Sequence, residues 1–204
     1  MSELTMWEIE HSFFQQGYKM ICGVDEAGRG PLAGPVCAAA VILPPDAEIP
    51  GLNDSKKLSD KRRRELFPVI KEQALAYSIY FVDEETIDRI NILQATLQAM
   101  DEAIRGLSVK PDLALIDGNR KKDFGVEAHT VIKGDSLSAS IAAASVLAKV
   151  SRDDLMLELA EKYPGYGFEI HKGYGTKYHY EALAKMGPSP AHRMSFLKKL
   201  YGEK

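Results

Sequence analysis

The stretch that decides this fold reads Met20-Ile21-Cys22-Gly23-Val24-Asp25-Glu26-Ala27-Gly28-Arg29-Gly30. An apolar run leads directly into two adjacent carboxylates, and a glycine-flanked arginine follows them. A second apolar run at 36–43 indicates that the chain returns as a second strand. Two acids at the end of a buried strand are costly unless their charges are paired or hold a cation. The stretch alone leaves two alternatives open, a salt bridge from Arg29 to one of the acids or a cation site.

Length and composition predict one domain with an ordinary apolar core, since the chain has 204 residues. The net charge of -3 and the pI of about 6.0 argue against a generally basic nucleic-acid binder, but they are compatible with local basic patches. Cys22 and Cys37 fall in the two apolar runs, which predicts buried free thiols in a reducing compartment. His171 and His179 lack thiol neighbours, so zinc spacing is absent. No basic leader or bilayer-length run is found, which predicts a cytoplasmic protein.

Hydrophobic periodicity predicts two opening strands and then strands separated by helices. Ser59 and Asn91 are predicted N-caps, and Leu75 is expected to face inward with the apolar side of its helix. The small residues at 139–145 predict a helix that approaches the sheet closely. The pattern is typical of the α/β class, one mixed sheet of about five strands covered by helices. Helices are predicted at 3–17, 60–75, 83–89, 91–106, 137–161, 176–186 and 195–201, and further strands at 76–82, 113–117 and 129–132.

Three acids share one position in this pattern, since Asp25, Asp117 and Asp135 each follow a short predicted strand. Functional groups collect beyond strand ends in α/β sheets, so these carboxylates and Glu26 are candidates for one site. Hard divalent cations such as Mg²⁺ or Mn²⁺ would relieve their repulsion. Taken singly, Asp117 is an ordinary turn residue and Asp135 an ordinary helix cap. Because strand side chains alternate, Asp25 and Glu26 reach one site only if the strand ends or twists there.

Basic residues form two groups. The first, at 56–64, contains Lys56 and is more typical of a solvated helix face than of a phosphate groove. The second, at 119–122, begins with Asn119 and directly follows Asp117, where its cations can hold backbone phosphates.

Arg29 and Tyr174 each lie between two glycines, and both are candidates for contact with a ligand. The Gly28-Arg29-Gly30 stretch is compatible with a tight turn between strands or with close approach of a ligand to the backbone. Tyr174 lies between two glycines in a predicted loop, where it is either a surface residue or a platform for a base or sugar.

The combined pattern resembles the signature of bacterial type 2 ribonuclease H, the ribonuclease HII family. The motif at 23–36 carries most of this resemblance, which spans nearly the whole chain in consistent order. The further matching segments are Asp54-Ser55-Lys56-Lys57-Leu58, Asn91-Ile92-Leu93-Gln94-Ala95-Thr96, Asp117-Gly118-Asn119, Lys133-Gly134-Asp135, Ala142-Ala143-Ala144-Ser145, Arg152-Asp153, His171-Lys172-Gly173-Tyr174-Gly175-Thr176 and His192-Arg193-Met194-Ser195-Phe196.

The resemblance implies a ribonuclease H-like fold, a five-stranded mixed sheet flanked by helices with a small helical C-terminal extension. It implies a single catalytic domain over 1–204, in which about 163–204 completes the substrate site. A backbone carbonyl at Glu26 can serve as a ligand in the family. The implied metal-binding and catalytic acids are Asp25, Glu26, Asp117 and Asp135, and the expected substrate-binding residues are Gly28, Arg29, Gly30, Lys56, Asn119 and Tyr174.

The activity implied by the resemblance is hydrolysis of the RNA strand of RNA–DNA hybrids and cleavage 5′ of ribonucleotides embedded in duplex DNA. The turn at 28–30 would read the ribose 2′-OH, and Tyr174 would stack on the following deoxyribose. Two Mg²⁺ or Mn²⁺ ions would bridge the scissile phosphate, leaving 3′-OH and 5′-phosphate ends.

Two alternatives remain beside this interpretation. Ribonuclease HIII carries an extra N-terminal substrate-binding domain, for which the roughly twenty residues before Asp25 are too few, and its turn has lysine where this chain has Arg29. A non-catalytic nucleic-acid-binding module would not need clustered acids. A monomer is expected. The segment 196–201 is a candidate contact for a sliding clamp, although packing on its own domain is the simpler interpretation.

Overall fold

The computed structural model describes residues 6–45, 47–53 and 55–201. Its centre is a single sheet whose strands are β1 Ile21–Ala27, β2 Val36–Ile42, β3 Ala76–Val82, β4 Leu113–Asp117 and β5 Glu127–Val131. The strand order is β3-β2-β1-β4-β5, with β1 antiparallel to β2 and parallel to β4. The five-stranded mixed sheet with an antiparallel start is therefore confirmed.

The helices cover both faces of this sheet. They are α1 Glu8–Gln15, α2 Asp60–Gln73, α3 Glu84–Ile90, α4 Ile92–Arg105, α5 Ala139–Lys162, α6 Phe168–His171, α7 Lys177–Met186 and α8 Lys198–Tyr201, with 3₁₀ turns at Gly134–Ser136 and Met194–Phe196. Within the described ranges, no helix combines the length and the apolarity needed to cross a bilayer.

Strand alternation divides the core into two layers. Cys22 and Val24 of β1 face α4, whereas Cys37 and Ala39 of β2 face α5 and α2. Both cysteines are buried and free, as predicted. A smaller apolar cluster joins the loop after β1 to the C-terminal helices, through residues such as Leu32, Phe168 and Leu183.

The close approach of α5 to the sheet depends on Gly23. A Cβ atom at this position would lie 2.1 Å from the carbonyl carbon of Ser140, far inside contact distance. The small residues at the start of α5 therefore pack directly against β1, as their composition predicts.

Several local predictions are confirmed. Ser59 caps α2 by accepting from the Arg62 amide, and Asn91 caps α4 by accepting from the amides of Leu93 and Gln94. The strands at 76–82 and 113–117 have the predicted bounds.

Other local predictions need correction. Strand β1 ends in the charged pair as predicted, apart from one further residue, Ala27, which also pairs with β2. Leu75 is 47% exposed because it follows the end of α2. Helix α1 spans only Glu8–Gln15, and residues 3–5 of the predicted helix lie outside the described ranges. The last strand begins at Glu127 and ends before Ile132, and the short α6 was not predicted.

Candidate functional site

Sheet pairing places two of the candidate acids side by side. Strands β1 and β4 are parallel, with Ile21 opposite Leu113 and Gly23 opposite Leu115. Continuing the same face by two residues brings Asp25 beside Asp117. The pairing of β1 with β4 ends at Val24, and β1 continues beyond it to Ala27. Both carboxylates therefore lie at the carboxyl end of the two strands.

The third acid, Asp135, comes from the turn after β5. It lies in the 3₁₀ turn Gly134–Ser136, and the Gly134 amide donates to Oδ1 of Asp117 at 2.7 Å. Ser138, rather than Asp135, caps α5, so the capping alternative for Asp135 is wrong. One carboxylate oxygen from each of Asp25, Asp117 and Asp135 lies within 4.8 Å of the others. These three side chains form the acid cluster.

Glu26 lies near the acid cluster, since it lines a cavity with Asp25 and Asp117, but it is not one of the three acids whose oxygens lie within 4.8 Å of one another. It follows Asp25 on β1 and pairs with Ala38, which belongs to the α4 face of the sheet. Its Oε1 accepts from Nη1 of Arg29 at 3.3 Å. Strand alternation predicts this difference between Asp25 and Glu26, and the salt bridge that Arg29 forms is the one to Glu26.

Crowding and burial change the acidity of these groups. Burial, followed by the charges of Glu26 and Asp117, raises the pKa of Asp25 well above its usual range. Burial and then the charge of Asp135 raise the pKa of Asp117. Burial also raises the pKa of Glu26, against the opposing effect of Arg29. Three carboxylates crowded together at a largely buried strand end are a donor set that fits a hard divalent cation.

Lys56 reaches the acid cluster from a separate loop. Its Nζ donates to Oδ2 of Asp135 at 2.9 Å. Partial burial acts to lower the pKa of Lys56, but the hydrogen bond to Asp135 and the surrounding carboxylates outweigh it and raise that pKa. The same loop is attached to α5 by a 2.5 Å contact between the hydroxyls of Ser55 and Ser145. The loop is therefore anchored beside Asp25.

Two buried arginines from distant elements hold the chain after β1, Arg193 at the turn at 28–30 and Arg152 at the residues that follow it. Arg193 donates to the carbonyl oxygens of Gly28, Arg29 and Gly34, at 2.6, 3.0 and 2.8 Å. Arg152 of α5 donates to the carbonyls of 33, 35 and 172. Both side chains are almost fully buried. Burial lowers the pKa of Arg193 to about 9.

Arg152 and Arg193 lie in segments that match the family motifs, but the sequence predicts no function for either. Apart from the Lys172 carbonyl, which is 20 positions from Arg152, their partners are more than a hundred positions away in the chain, so no local pattern identifies the role.

A cavity of about 200 Å³ joins these elements. Tyr174 lines it and is 46% exposed, and its Cε1 atom would lie 3.6 Å from a Cβ placed on Gly30. The remaining lining residues include Asp25, Asp117 and the turn at 28–30. The ring, the turn and the acid cluster thus face one space.

The basic residues of each group differ in their positions and partners, and the sequence does not predict these differences. Asn119 and Arg120 are exposed and line a second cavity of about 270 Å³ beside Asp117. Lys121 and Lys122 instead bind the Ala128 carbonyl and Asp101, away from the acid cluster. In the first group, Arg62 and Arg64 pair with nearby carboxylates on a solvated helix face, whereas the Arg63 side chain is only 12% exposed and donates to the carbonyls of Ser55 and Leu58.

Comparison with known proteins agrees with this fold. Residues 22–199 match the family model described as Ribonuclease HII. Ribonuclease HII from Endomicrobium trichonymphae is 57% identical over 193 residues, covering 94% of this chain and 92% of the relative. The crystal structure of ribonuclease H2 from Pyrococcus horikoshii OT3 is similar with a TM-score of 0.71 at 26% identity, covering 86% of this chain and 92% of that one. The RNase HII in a PCNA:RNase HII complex from Archaeoglobus fulgidus is similar with a TM-score of 0.71 at 28% identity, covering 86% and 94%.

Proposed function

Because the chain belongs to the ribonuclease HII family, whose members are metal-dependent endoribonucleases that act on RNA–DNA hybrids, we propose that it also cuts 5′ of single ribonucleotides embedded in duplex DNA. The products would carry 3′-OH and 5′-phosphate ends. The observation that carries this proposal is the shared cavity, in which the acid cluster, the turn at 28–30 and Tyr174 face the same space.

We assign the metal-holding role to Asp25, Asp117 and Asp135, with Glu26 contributing through its backbone carbonyl or after leaving Arg29. Two divalent cations, Mg²⁺ or Mn²⁺, would supply activation of water and stabilisation of the leaving 3′-oxygen when bound. The protein's own contribution is to hold the carboxylates together at a buried strand end. The Gly134 amide keeps Asp117 oriented, and the Glu26 amide does the same for Asp25 at 2.7 Å.

Recognition of the ribonucleotide is assigned to the turn at 28–30. A 2′-OH can both donate and accept, so backbone groups suffice to distinguish ribose from deoxyribose. Arg193 donates hydrogen bonds to the carbonyls of Gly28 and Arg29. These bonds support the assignment because they keep the turn rigid, and a 2′-OH contact requires fixed backbone geometry. Tyr174, beside Gly30, would stack on the sugar that follows.

Phosphate contacts are assigned to Lys56, which bonds to Asp135, and to Asn119, which lines a cavity with Asp117. A single catalytic domain over 1–204, with about 163–204 completing the substrate site, remains part of the proposal. The bonds from the buried Arg193 to the turn at 28–30 support it, because they tie this extension to the site.

A contact of the C-terminal segment with a sliding clamp also remains a proposal. The Archaeoglobus fulgidus enzyme forms a complex with PCNA. In this chain, Leu197 is buried against its own domain, whereas Leu200 is 52% exposed and available to a partner. We propose a monomer that uses this segment for any clamp contact.

The decisive experiment is cleavage of a DNA duplex with one embedded ribonucleotide, with the cut mapped by end-labelled strands. We expect one cut 5′ of the ribonucleotide with Mg²⁺ and none with EDTA. Asp135→Asn should abolish cleavage and keep the circular dichroism spectrum of the wild type. A cut 3′ of the ribonucleotide, or full activity of Asp135→Asn, would refute the assignment. Tight binding without cleavage in either condition would favour the binding-module alternative.

A further inference from the structure

Three buried histidines meet in the C-terminal extension, outside the acid cluster. The rings of His171 and His179 stack with centroids 4.5 Å apart. Nε2 of His179 lies 3.0 Å from Nε2 of His192. All three rings surround Phe168, and none is more than 9% exposed. A contact between two imidazole nitrogens requires that one of them carry a proton and the other accept it.

The surrounding backbone fixes where each proton lies. The Ser189 amide donates to Nδ1 of His192 at 2.9 Å, while the Ser189 carbonyl lies farther away at 3.3 Å. Nδ1 of His192 is therefore the acceptor, and a neutral ring then carries its proton on Nε2. On the other ring, Nδ1 of His179 faces the carbonyl oxygen of Tyr174 at 2.9 Å. A carbonyl only accepts, so Nδ1 of His179 holds the proton and its Nε2 is free to accept.

These two assignments agree at the shared contact. His192 donates through Nε2 to Nε2 of His179, and His179 donates through Nδ1 to Tyr174. An imidazolium on His192 would set its Nδ1–H against the Ser189 amide, and an imidazolium on His179 would set two N–H groups against each other at the contact between the Nε2 atoms. Burial, which lowers the pKa of both rings, is consistent with neutral histidines.

The chain of bonds ends on the backbone of the residue that lines the cavity. The Tyr174 carbonyl also accepts from the Thr176 amide at 2.8 Å, and the Tyr174 amide donates to the His171 carbonyl at 2.9 Å. Nδ1 of His171 in turn accepts from the Gly173 amide at 3.2 Å. Both backbone polar groups of Tyr174 are thus held by the histidine cluster, while its ring remains exposed.

We infer that His192 and His179 are positioning residues that set substrate specificity by fixing Tyr174 against the turn at 28–30. This inference rests on the proposed stacking role of Tyr174. The relay from His192 through His179 to the Tyr174 carbonyl holds the backbone of Tyr174, and with it the ring that lines the cavity beside Gly30. Loss of the relay should therefore affect RNA–DNA junctions more than uniform hybrids.

The first test measures the protons directly in the wild-type protein. Long-range ¹H–¹⁵N correlation spectra at neutral pH distinguish the two neutral tautomers of each histidine. We expect His179 as the Nδ1–H tautomer and His192 as the Nε2–H tautomer. An Nε2–H tautomer or an imidazolium at His179 would overturn the relay, whatever the protein does to substrate.

The second test compares variants on two substrates, an embedded single ribonucleotide and a uniform RNA–DNA hybrid. His192→Phe keeps a ring of similar volume but has no donor, whereas His192→Gln keeps an N–H near the Nε2 position. Tyr166→Phe is the matched control, because its ring lies 4.9 Å from His192 but its hydroxyl donates to Gly187 instead of the relay. We expect His192→Phe to lower the ratio of junction to hybrid kcat/KM by about three- to tenfold, the range for one lost buried hydrogen bond.

Rescue and epistasis separate positioning from general stability. His192→Gln should restore most of the ratio, and Tyr166→Phe should leave it unchanged. In a Tyr174→Ala background, His192→Phe should lower the ratio no further. Equal losses on both substrates, or an undiminished effect in the Tyr174→Ala background, would overturn the inference.

The proposed function and the relay fail in different ways. If Tyr174→Ala leaves the ratio unchanged, the stacking role fails and the specificity claim falls with it. The relay itself is then judged by the tautomers and by amide hydrogen exchange at Tyr174 and Thr176. Faster exchange at these amides in His192→Phe would support the relay, and unchanged exchange would refute it.

Discussion

The ammonium nitrogen of Lys56 lies 2.9 Å from Oδ2 of Asp135, so a lysine occupies the edge of the acid cluster. The Lys56 side chain is largely exposed, whereas Asp135 is buried. A cation entering the acid cluster would therefore meet a positive charge that can swing away into solvent. The same charge is well placed to meet a substrate phosphate.

Replacing Lys56 should change cation and substrate binding in opposite directions. Lys56→Met removes a positive charge beside Asp135, so we expect a lower apparent Kd for Mg²⁺ and a higher KM for substrate. The slope of log KM against log salt concentration should fall by about one, because one phosphate contact is lost. Calorimetric Mg²⁺ titration and salt-dependent kinetics measure these two effects. Lys57→Met, at the exposed neighbouring position, is the control, and an equal effect there would contradict a specific role for Lys56.

Removing one charge from the acid cluster should stabilise the metal-free protein. Asp25→Asn keeps the acceptor for the Glu26 amide but removes a buried charge that the neighbouring acids repel. In EDTA we expect Tm to rise by about 2–8 °C, equivalent to about 1–2 kcal/mol. Cleavage and the Mg²⁺-induced rise in Tm should both be lost.

The control for this prediction is Glu10→Gln. Glu10 is a buried carboxylate outside the acid cluster that accepts from the Ser138 hydroxyl and the Ser140 amide. This variant should keep the Mg²⁺-induced rise in Tm. A lower Tm of Asp25→Asn in EDTA would mean that repulsion does not limit the stability of the site.

Gly28 is required for two separable reasons. Its φ of +95° lies in the left-handed region, and a Cβ there would lie 1.9 Å from Nε of Arg152. Gly17 has a similar φ of +100° but open space around it. Gly17→Ala should cost about 1–2 kcal/mol from backbone strain alone. Gly28→Ala should cost more and should also lower cleavage, because Arg152 or the turn must move.

Urea unfolding and hybrid cleavage measure both glycine variants. Equal losses of unfolding free energy in the two variants would show that Arg152 can move away from the added Cβ without destabilising the protein. Unchanged cleavage in Gly28→Ala would contradict a role of the turn at 28–30 in substrate recognition.

The histidine cluster should make stability depend on pH. Burial, followed by the charge of His179, lowers the pKa of His192 from 6.5 to about 4. Between these values the unfolded chain binds more protons at this site, so its contribution to stability is full above about pH 6.5 and is lost as the pH falls towards 4. The groups that face His192 are His179, His171 and the ring of Tyr166.

Urea unfolding of wild type and His192→Phe at pH values from about 4 to about 7 tests this dependence. The variant should show a shallower loss of unfolding free energy across the range, because one site no longer takes up a proton on unfolding. Parallel curves for the two proteins would show that His192 does not contribute.

Much of the fold follows from local patterns. Apolar runs and alternation predicted the strands, and the caps at Ser59 and Asn91 were identified because a side chain and the amides it accepts from are neighbours in sequence. The acids at strand ends were also identifiable, because Asp25 and Asp117 directly follow buried runs. Asp25 and Glu26 point to opposite faces of the sheet because strand side chains alternate. The sequence predicts this alternation, and the pairing of Glu26 with Ala38 on the α4 face agrees with it.

The sequence by itself therefore determined which residues form strands and helices and which acids end them, because these properties depend on neighbours within a few positions. Only the tertiary structure decided the strand order and the position of Asp135 in a 3₁₀ turn beside the other acids. The same holds for the hydrogen bond from Arg193 to the Gly28 carbonyl, 165 positions earlier. The tertiary structure also decided that His179 and His192 meet behind Tyr174. Contacts of this kind depend on how the packed layers bring distant segments together, and that information is not carried by any short window of the chain.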